Sequence, residues 1–266
     1  MNAPQAPHIA PEPANRGRRR AAGVPAIDVH ALCHVYAEGP AALSGVDLCI
    51  EAGEAVAIVG ANGAGKSTLL QHLNGLLLPA AGSVHIEGIE LGPRTLAEVR
   101  RRVGYVFQDA DDQLFMPTVR DDVAFGPLNQ GLSLEEAHGR TDTALAGVGA
   151  AHLASRAPYR LSGGEKRAVA IAGVLAMRPS ILVLDEPSSG LDPLGRERLI
   201  GLLRSFTHTR VIATHDLDLA LQVCARVVVL QHGQCAAQGA AAEILGDGAL
   251  LRRCGLAAPS DQAPAR

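Results

Sequence analysis

The chain has no tryptophan, and aromatic residues make up only 3% of its 266 positions. Its interior must therefore be filled by Leu, Val, Ile and Ala, which a hydrophobic fraction of 47% supplies in quantity. Its five cysteines, Cys33, Cys49, Cys224, Cys235 and Cys254, include no CxxC pair. An odd, dispersed set of this kind reads as reduced intracellular thiols and excludes a disulfide framework. The ten histidines form no HExxH cluster, so no zinc site of the usual ligand spacing is expected. A basic excess is missing as well: the net charge is −3, which argues against sequence-independent nucleic-acid binding. Long apolar runs are also missing. The longest, AVAIAGVLAM at residues 168–177, is bounded by Lys166, Arg167 and Arg178 and falls short of the ~18 residues that span a bilayer. It reads as a buried helix, and any work at a membrane would be done from the water side.

What is present is organised in alternation. Residues 1–25 are rich in Pro, Ala and Arg, with RGRRR at 16–20. They read as a solvated disordered tail, with contact to anionic lipid headgroups as the sharper alternative, and nothing in them resembles a secretory signal. Residues 26–35 and 46–50 alternate apolar and polar positions, as half-buried strands do. Short apolar runs at 55–59, 103–107, 181–184, 211–213 and 227–230 are separated mostly by helical stretches. That is the pattern of a parallel sheet covered on both faces. LQHGQ at 230–234 reads as a hairpin turn. Residues 110–160 hold helical patterns and no convincing strand, and are expected to form a helical lobe inserted into the α/β core. Residues 26–245 form the main domain on this reading, and 246–266 a C-terminal helix and flexible end.

The string GANGAGKST at residues 60–68 follows a strand and opens a helix. Gly60, Gly65, Lys66 and Ser67 satisfy the phosphate-loop pattern, with Asn62, Gly63 and Thr68 completing the loop. Glycines let backbone N–H groups converge on phosphate oxygens, and the helix adds its positive N-terminal end. Lys66 can reach the β- and γ-phosphates and the Ser67 hydroxyl can ligate Mg²⁺. The loop alone does not separate an ATPase from a GTPase or a kinase. A second string, ILVLDEP at 181–187, is a buried strand ending in two carboxylates. Asp185 is placed to hold Mg²⁺, and Glu186 to orient and deprotonate an attacking water.

LSGGE at residues 161–165 lies between these two strings. In that order and spacing, the chain resembles the ATP-binding subunits of ABC transporters over about residues 26–245. The resemblance implies a P-loop (RecA-like) α/β core with an antiparallel β subdomain and an inserted helical lobe. It also implies ATP and Mg²⁺ as ligands and hydrolysis as the activity. Tyr36 falls where the family stacks an aromatic on adenine. Gln108 matches the glutamine that senses Mg²⁺ and the membrane partner. SSGLD at 188–192, ending in Asp192, matches the loop that crosses between paired subunits, and His215 matches the histidine that contacts the γ-phosphate. Ser162, Gly163 and Gly164 would form a second anion cradle for the ATP of a facing copy, so that two chains pair head to tail. Taken singly, LSGGE could be an ordinary capped helix start, Tyr36 strand packing and His215 a structural histidine; order and spacing favour the joint reading.

A narrower likeness covers residues 103–129, VGYVFQDADDQLFMPTVRDDVAFGPLN. This resembles the energy-coupling-factor branch, and within it the cobalt/nickel importers. It implies a second ATPase subunit (a homodimer is the simpler arrangement), a membrane scaffold subunit pressing arginine-bearing helices beside Gln108, and a substrate-capture subunit. The protein would sit peripherally on the cytoplasmic side of the cell membrane. Asp109, Asp111 and Asp112 would give the scaffold a complementary negative patch, or else form a solvated acidic loop. An importer of a vitamin or other small solute is the alternative. A soluble ABC ATPase acting on DNA or ribosomes fits less well, because the chain has neither a long coiled coil nor a second cassette. A non-hydrolysing regulator fits poorly, because Lys66, Asp185, Glu186 and His215 are all present.

Overall fold

The computed structural model describes residues 23–37 and 39–257. The basic run at 16–20 and residues 258–266 lie outside the described residues. Two sheets and a group of helices are built in chain order. Strands β1 (Ile27–Val35) and β2 (Ala41–Ile50) precede β3 (Ala55–Val59), which leads into helix α1 (Lys66–Leu73). Strands β4 (Ala81–Ile86) and β5 (Ile89–Glu90), helix α2 (Leu96–Arg102) and strand β6 (Val103–Val106) follow. Helices α3 (Val119–Asn129), α4 (Leu134–Gly147) and α5 (Gly163–Ala176) come next, then β7 (Ile181–Asp185), α6 (Pro193–Ser205), β8 (Thr209–Ala213) and α7 (Leu217–Val223). The hairpin β9 (Arg226–Gln231) and β10 (Gln234–Ala240) and the short helices α8 (Ala241–Gly246) and α9 (Gly248–Arg253) complete the order.

The larger sheet has the order β10-β9-β3-β8-β7-β6. All pairs in it are parallel except β10 with β9. β3 and β7 are buried at every position, as strands covered on both faces must be. The smaller sheet, β2-β1-β4-β5, is antiparallel throughout. Its inner face, with Ile27, Leu32, Leu43 and Ile50, shares one core with α1 and one side of the parallel sheet. The other side packs against α6 and α7 through Leu199, Leu203 and Leu219. A third cluster, with Val119, Val123, Leu145 and Val169, joins α3, α4 and α5. This is the α/β cassette with an antiparallel subdomain and helical elements that the resemblance implies.

Local chemistry explains the helix starts. Ser133 with Glu136 and Ser162 with Glu165 form reciprocal capping boxes for α4 and α5, and Asp192 caps α6 with Pro193 at its first position. The 230–234 turn is the expected hairpin, with His232 and Gly233 both at positive φ (49° and 73°), the pattern of a two-residue β-hairpin loop. β4, β5 and β10 are strands that the alternation pattern does not announce.

Candidate functional site

β3, β7 and β8 run parallel and side by side, so their carboxyl ends open on one edge of the sheet, where ligands of open α/β sheets bind. The turn after β3 carries the phosphate loop. Gly60 has no room for a side chain, because a Cβ there would lie 2.5 Å from the Leu230 carbonyl oxygen. Gly65 stands at φ +102°, with the Ala42 carbonyl oxygen 2.6 Å from where a Cβ would be. Lys66 opens α1 and its side chain is buried (8% exposed). Its ammonium donates to the carbonyls of Gly60 (2.8 Å) and Ala61 (3.4 Å), curling back over the loop.

β7 delivers the carboxylates to the same edge. Asp185 pairs in register with Ala213 of β8, so the residues that follow each strand are neighbours. Glu186 Oε1 lies 3.7 Å from Lys66 Nζ. Glu186 Oε2 accepts from the His215 backbone N–H (3.2 Å) and sits 2.8 Å from His215 Nδ1. Glu186 also holds a left-handed backbone, φ +45°, a conformation costly for a side-chain-bearing residue and typical of functional sites. His215 is itself followed by a clamp: Arg196 of α6 grips Asp216 with two bonds, 2.6 and 2.9 Å.

Asp185 is buried, and burial pushes its carboxyl pKa above the usual range, while the hydroxyls of Ser67 and Tyr105 and the charge of Lys66 pull the other way. Its Oδ2 accepts from the Tyr105 hydroxyl (3.1 Å). Its Oδ1 is buried and has no hydrogen-bond partner. A bare, buried carboxylate oxygen beside the Ser67 hydroxyl is a donor set that suits Mg²⁺, a hard cation that takes oxygen ligands. Ser67, Asp185 and Gln108 line one cleft of about 580 Å³ together with Gly163, Arg167 and Gly190.

Tyr36, half-exposed at the end of β1, places its hydroxyl 3.1 Å from Thr68 Oγ1 and meets the His34 ring edge-on at 4.7 Å. Ser162 lies exposed at the start of α5. Its hydroxyl bonds Glu165 (2.9 Å), and none of its hydrogen bonds among the described residues reaches the phosphate loop. Asp192 likewise is turned to its own helix, accepting from Gly195 N at 2.7 Å. The structure thus gathers Lys66, Ser67, Asp185, Glu186 and His215 at one edge, and leaves Ser162 and Asp192 facing outward on separate helix starts.

Three residues of this site escaped the sequence reading. Arg167, buried in α5, donates to the carbonyls of Phe107 (2.6 Å) and Gln108 (2.5 Å). Gln113 bridges Phe107 N (3.4 Å) and the Ala170 carbonyl (2.8 Å). Tyr105 holds Asp185. A basic pair, Lys166 and Arg167, set at the head of the apolar run 168–177 is the local signal that could have drawn attention. In the acidic loop, Asp111 is bound to Lys166 at 2.6 Å and Asp109 accepts from Asp111 N, while Asp112 is exposed.

The strand–loop–helix after β3, the carboxylates at the end of β7 one strand away across β8, and the bare Asp185 oxygen define a P-loop nucleoside-triphosphate hydrolase. Comparison with known proteins narrows this. The family model "ABC transporter" matches residues 43–189. An ABC transporter ATP-binding protein of Geobacter sulfurreducens is 57% identical, over 88% of this chain and 94% of the relative. The cobalt import ATP-binding protein CbiO of Rhodobacter capsulatus is 49% identical, over 88% of this chain and 86% of its own length. The energy-coupling factor transporter ATP-binding protein EcfA of Methanothermobacter thermautotrophicus is 48% identical, over 88% and 76%. Among solved structures, CbiO1 of Clostridium perfringens, part of the ABC transporter complex CbiONQ, superposes with a TM-score of 0.77 at 38% identity. It covers 87% of this chain and 94% of that one. A bacterial ABC transporter cassette solved as a dimer gives 0.74 at 31%, covering 81% and 98%. The chain belongs to the ABC transporter ATP-binding family, and it is an ATPase. No helix among the described residues is long and apolar enough to cross a membrane.

Proposed function

We propose that this chain is the ATP-hydrolysing subunit of an energy-coupling-factor type importer, acting as a head-to-tail pair on the cytoplasmic face of the membrane. The observation that carries this reading is the division of the site. Lys66, Asp185, Glu186 and His215 converge at one sheet edge, while Ser162 stands exposed on another helix start with its cap satisfied within its own turn. A second copy would bring its Ser162, Gly163 and Gly164 to the ATP held at Lys66.

ATP would lie against the backbone of Gly60, Asn62, Gly63 and Gly65, with Lys66 toward the β- and γ-phosphates, Thr68 at the end of the loop and Tyr36 stacking on adenine. Ser67, Asp185 and Gln108 would hold Mg²⁺, which neutralises charge developing on the phosphates. Glu186 orients the attacking water and takes its proton. His215, fixed on Glu186, reaches the γ-phosphate, and Asp192 lies at the seam between copies.

Next to the Gln108 loop, Phe115 (64% exposed) and Phe125 (41% exposed) meet edge to face at 5.0 Å, with Leu128 exposed nearby on α3. Exposed aromatics of this kind mark interaction sites, and with Asp112 they fit a membrane scaffold helix bearing arginine. Cobalt or nickel ions are the cargo this reading favours, supported by the names of the cobalt relative and of the CbiONQ subunit. The alternative is a vitamin or other small solute. The test is to co-purify the ATPase with its membrane and substrate-capture subunits and measure uptake into vesicles. ATP-dependent entry of Co²⁺ or Ni²⁺ is expected; entry of a vitamin alone would overturn the cargo, and no ATP-dependent uptake of any solute the reading.

A further inference from the structure

Tyr105 holds no part in the roles above. It lies on β6, paired in parallel register with Val183, two residues before Asp185 on β7. Its side chain is buried. Its hydroxyl donates a hydrogen bond to Asp185 Oδ2 (3.1 Å). Its ring meets Phe107 edge-on at 4.9 Å, and Phe107 adjoins Gln108, a second residue of the cation site. The two oxygens of Asp185 are therefore unlike: one is held, the other is buried and bare. An aspartate carboxyl turns with a broad, roughly two-fold preference, so a fixed donor on one oxygen removes that freedom.

We infer that Tyr105 is a positioning residue for the divalent cation: by holding Asp185 Oδ2 it aims Oδ1 at Mg²⁺ and ties that carboxylate to the glutamine loop through Phe107. This rests on Asp185 being a Mg²⁺ ligand. Partners of this kind behind a ligand cost about 10–100-fold in metal affinity when removed. A tyrosine that merely fills the core would be replaced by phenylalanine without effect on the metal.

The experiment uses the full chain with Glu186→Gln to stop turnover, ATP bound, and Mn²⁺ as the spectroscopic probe. Tyr105→Phe keeps the ring and removes the donor. Mn²⁺ affinity measured by electron paramagnetic resonance should fall about 10–100-fold, while ATP affinity in EDTA stays near that of the parent and the melting temperature falls by only a few degrees, about what one lost buried hydrogen bond costs. With Glu186 restored, added Mg²⁺ should recover turnover in the Tyr105→Phe chain, because the Mg²⁺ requirement rises and kcat does not fall. Tyr105→Met, also without a donor, should lose the same affinity. Unchanged Mn²⁺ affinity in both variants overturns the inference, as does an equal loss of ATP affinity in EDTA. Asp185→Asn separates the two layers. If it binds Mn²⁺ like the parent, the ligand assignment itself fails; if it loses Mn²⁺ and Tyr105→Phe does not, only the positioning role fails.

Discussion

Asp185 carries a cost that the proposed role of holding Mg²⁺ would explain. A carboxylate buried with one oxygen bare is held above its ordinary pKa by desolvation, and burying such a charge without full partnering disfavours the folded state. The sign follows from linkage: a group whose folded pKa is raised contributes stability below its unfolded pKa and loses it as pH rises through the folded value. Asp185→Asn should therefore melt higher than the parent at pH 7 in the absence of nucleotide, by about 2–4 °C for each kcal/mol relieved. The gap should close as pH falls toward 4. A thermal scan of both chains across that range checks it; an equal gap at all pH values would place the cost elsewhere. Glu186 shows a similar compromise in its left-handed backbone. The residues that backbone and phosphate chemistry demand locally were legible in the chain: Gly60, Gly65, Lys66, the Asp185–Glu186 pair and Ser162 with Glu165. Tyr105 was not, because its partner lies 80 positions away and nothing around it in sequence asks for a phenol.

At the scale of elements, α5 and the glutamine loop behave as one body. Arg167 ties two carbonyls of the loop, Gln113 ties the loop back to α5, and Lys166 holds Asp111 at the loop's far end. Movement imposed at the exposed aromatics beside Gln108 would thus reach the helix that begins with Ser162. Arg167→Met keeps the length and apolar stem of the side chain and removes both bonds. Amide exchange across residues 107–113 should then accelerate by about 10-fold or more, since bonds to a charged donor contribute ~1.5–3 kcal/mol. Exchange in β3 and β7 should not change. Unaltered exchange in the loop would show that Arg167 is not what fastens it. This link joins positions about 60 apart, which is why alternation and capping signals gave no hint of it. The strands missed by pattern have a different cause. β5 is two residues long, and β10 is built from Gln, Cys, Ala and Gly, residues whose local preference for a strand is weak. Their pairing partners, not their own sequence, make them strands.

At the scale of the whole molecule, one chain gathers Lys66, Ser67, Asp185, Glu186 and His215 at one edge and presents a capped LSGGE start whose Ser162, among the described residues, bonds only within its own turn. Head-to-tail pairing about a two-fold axis is an isologous contact: the Ser162 half of each copy meets the Lys66 half of the other, so the pair closes as a dimer with two composite sites. The architecture was legible because alternating strands and helices around a phosphate loop admit few arrangements. Pairing of this chain is expected only from the likeness carried by LSGGE, since no local rule requires a second copy. The most direct measurement is the mass in solution of the Glu186→Gln chain with ATP and Mg²⁺, taken by size exclusion with light scattering. Hydrolysis should fall by about 10²–10⁴-fold, and the trapped ATP should convert the monomer to a dimer. Adding Ser162→Arg to the same chain should leave ATP binding intact and return it to a monomer. A Glu186→Gln chain that binds ATP yet stays monomeric, or a dimer that Ser162→Arg does not disturb, would contradict the composite site.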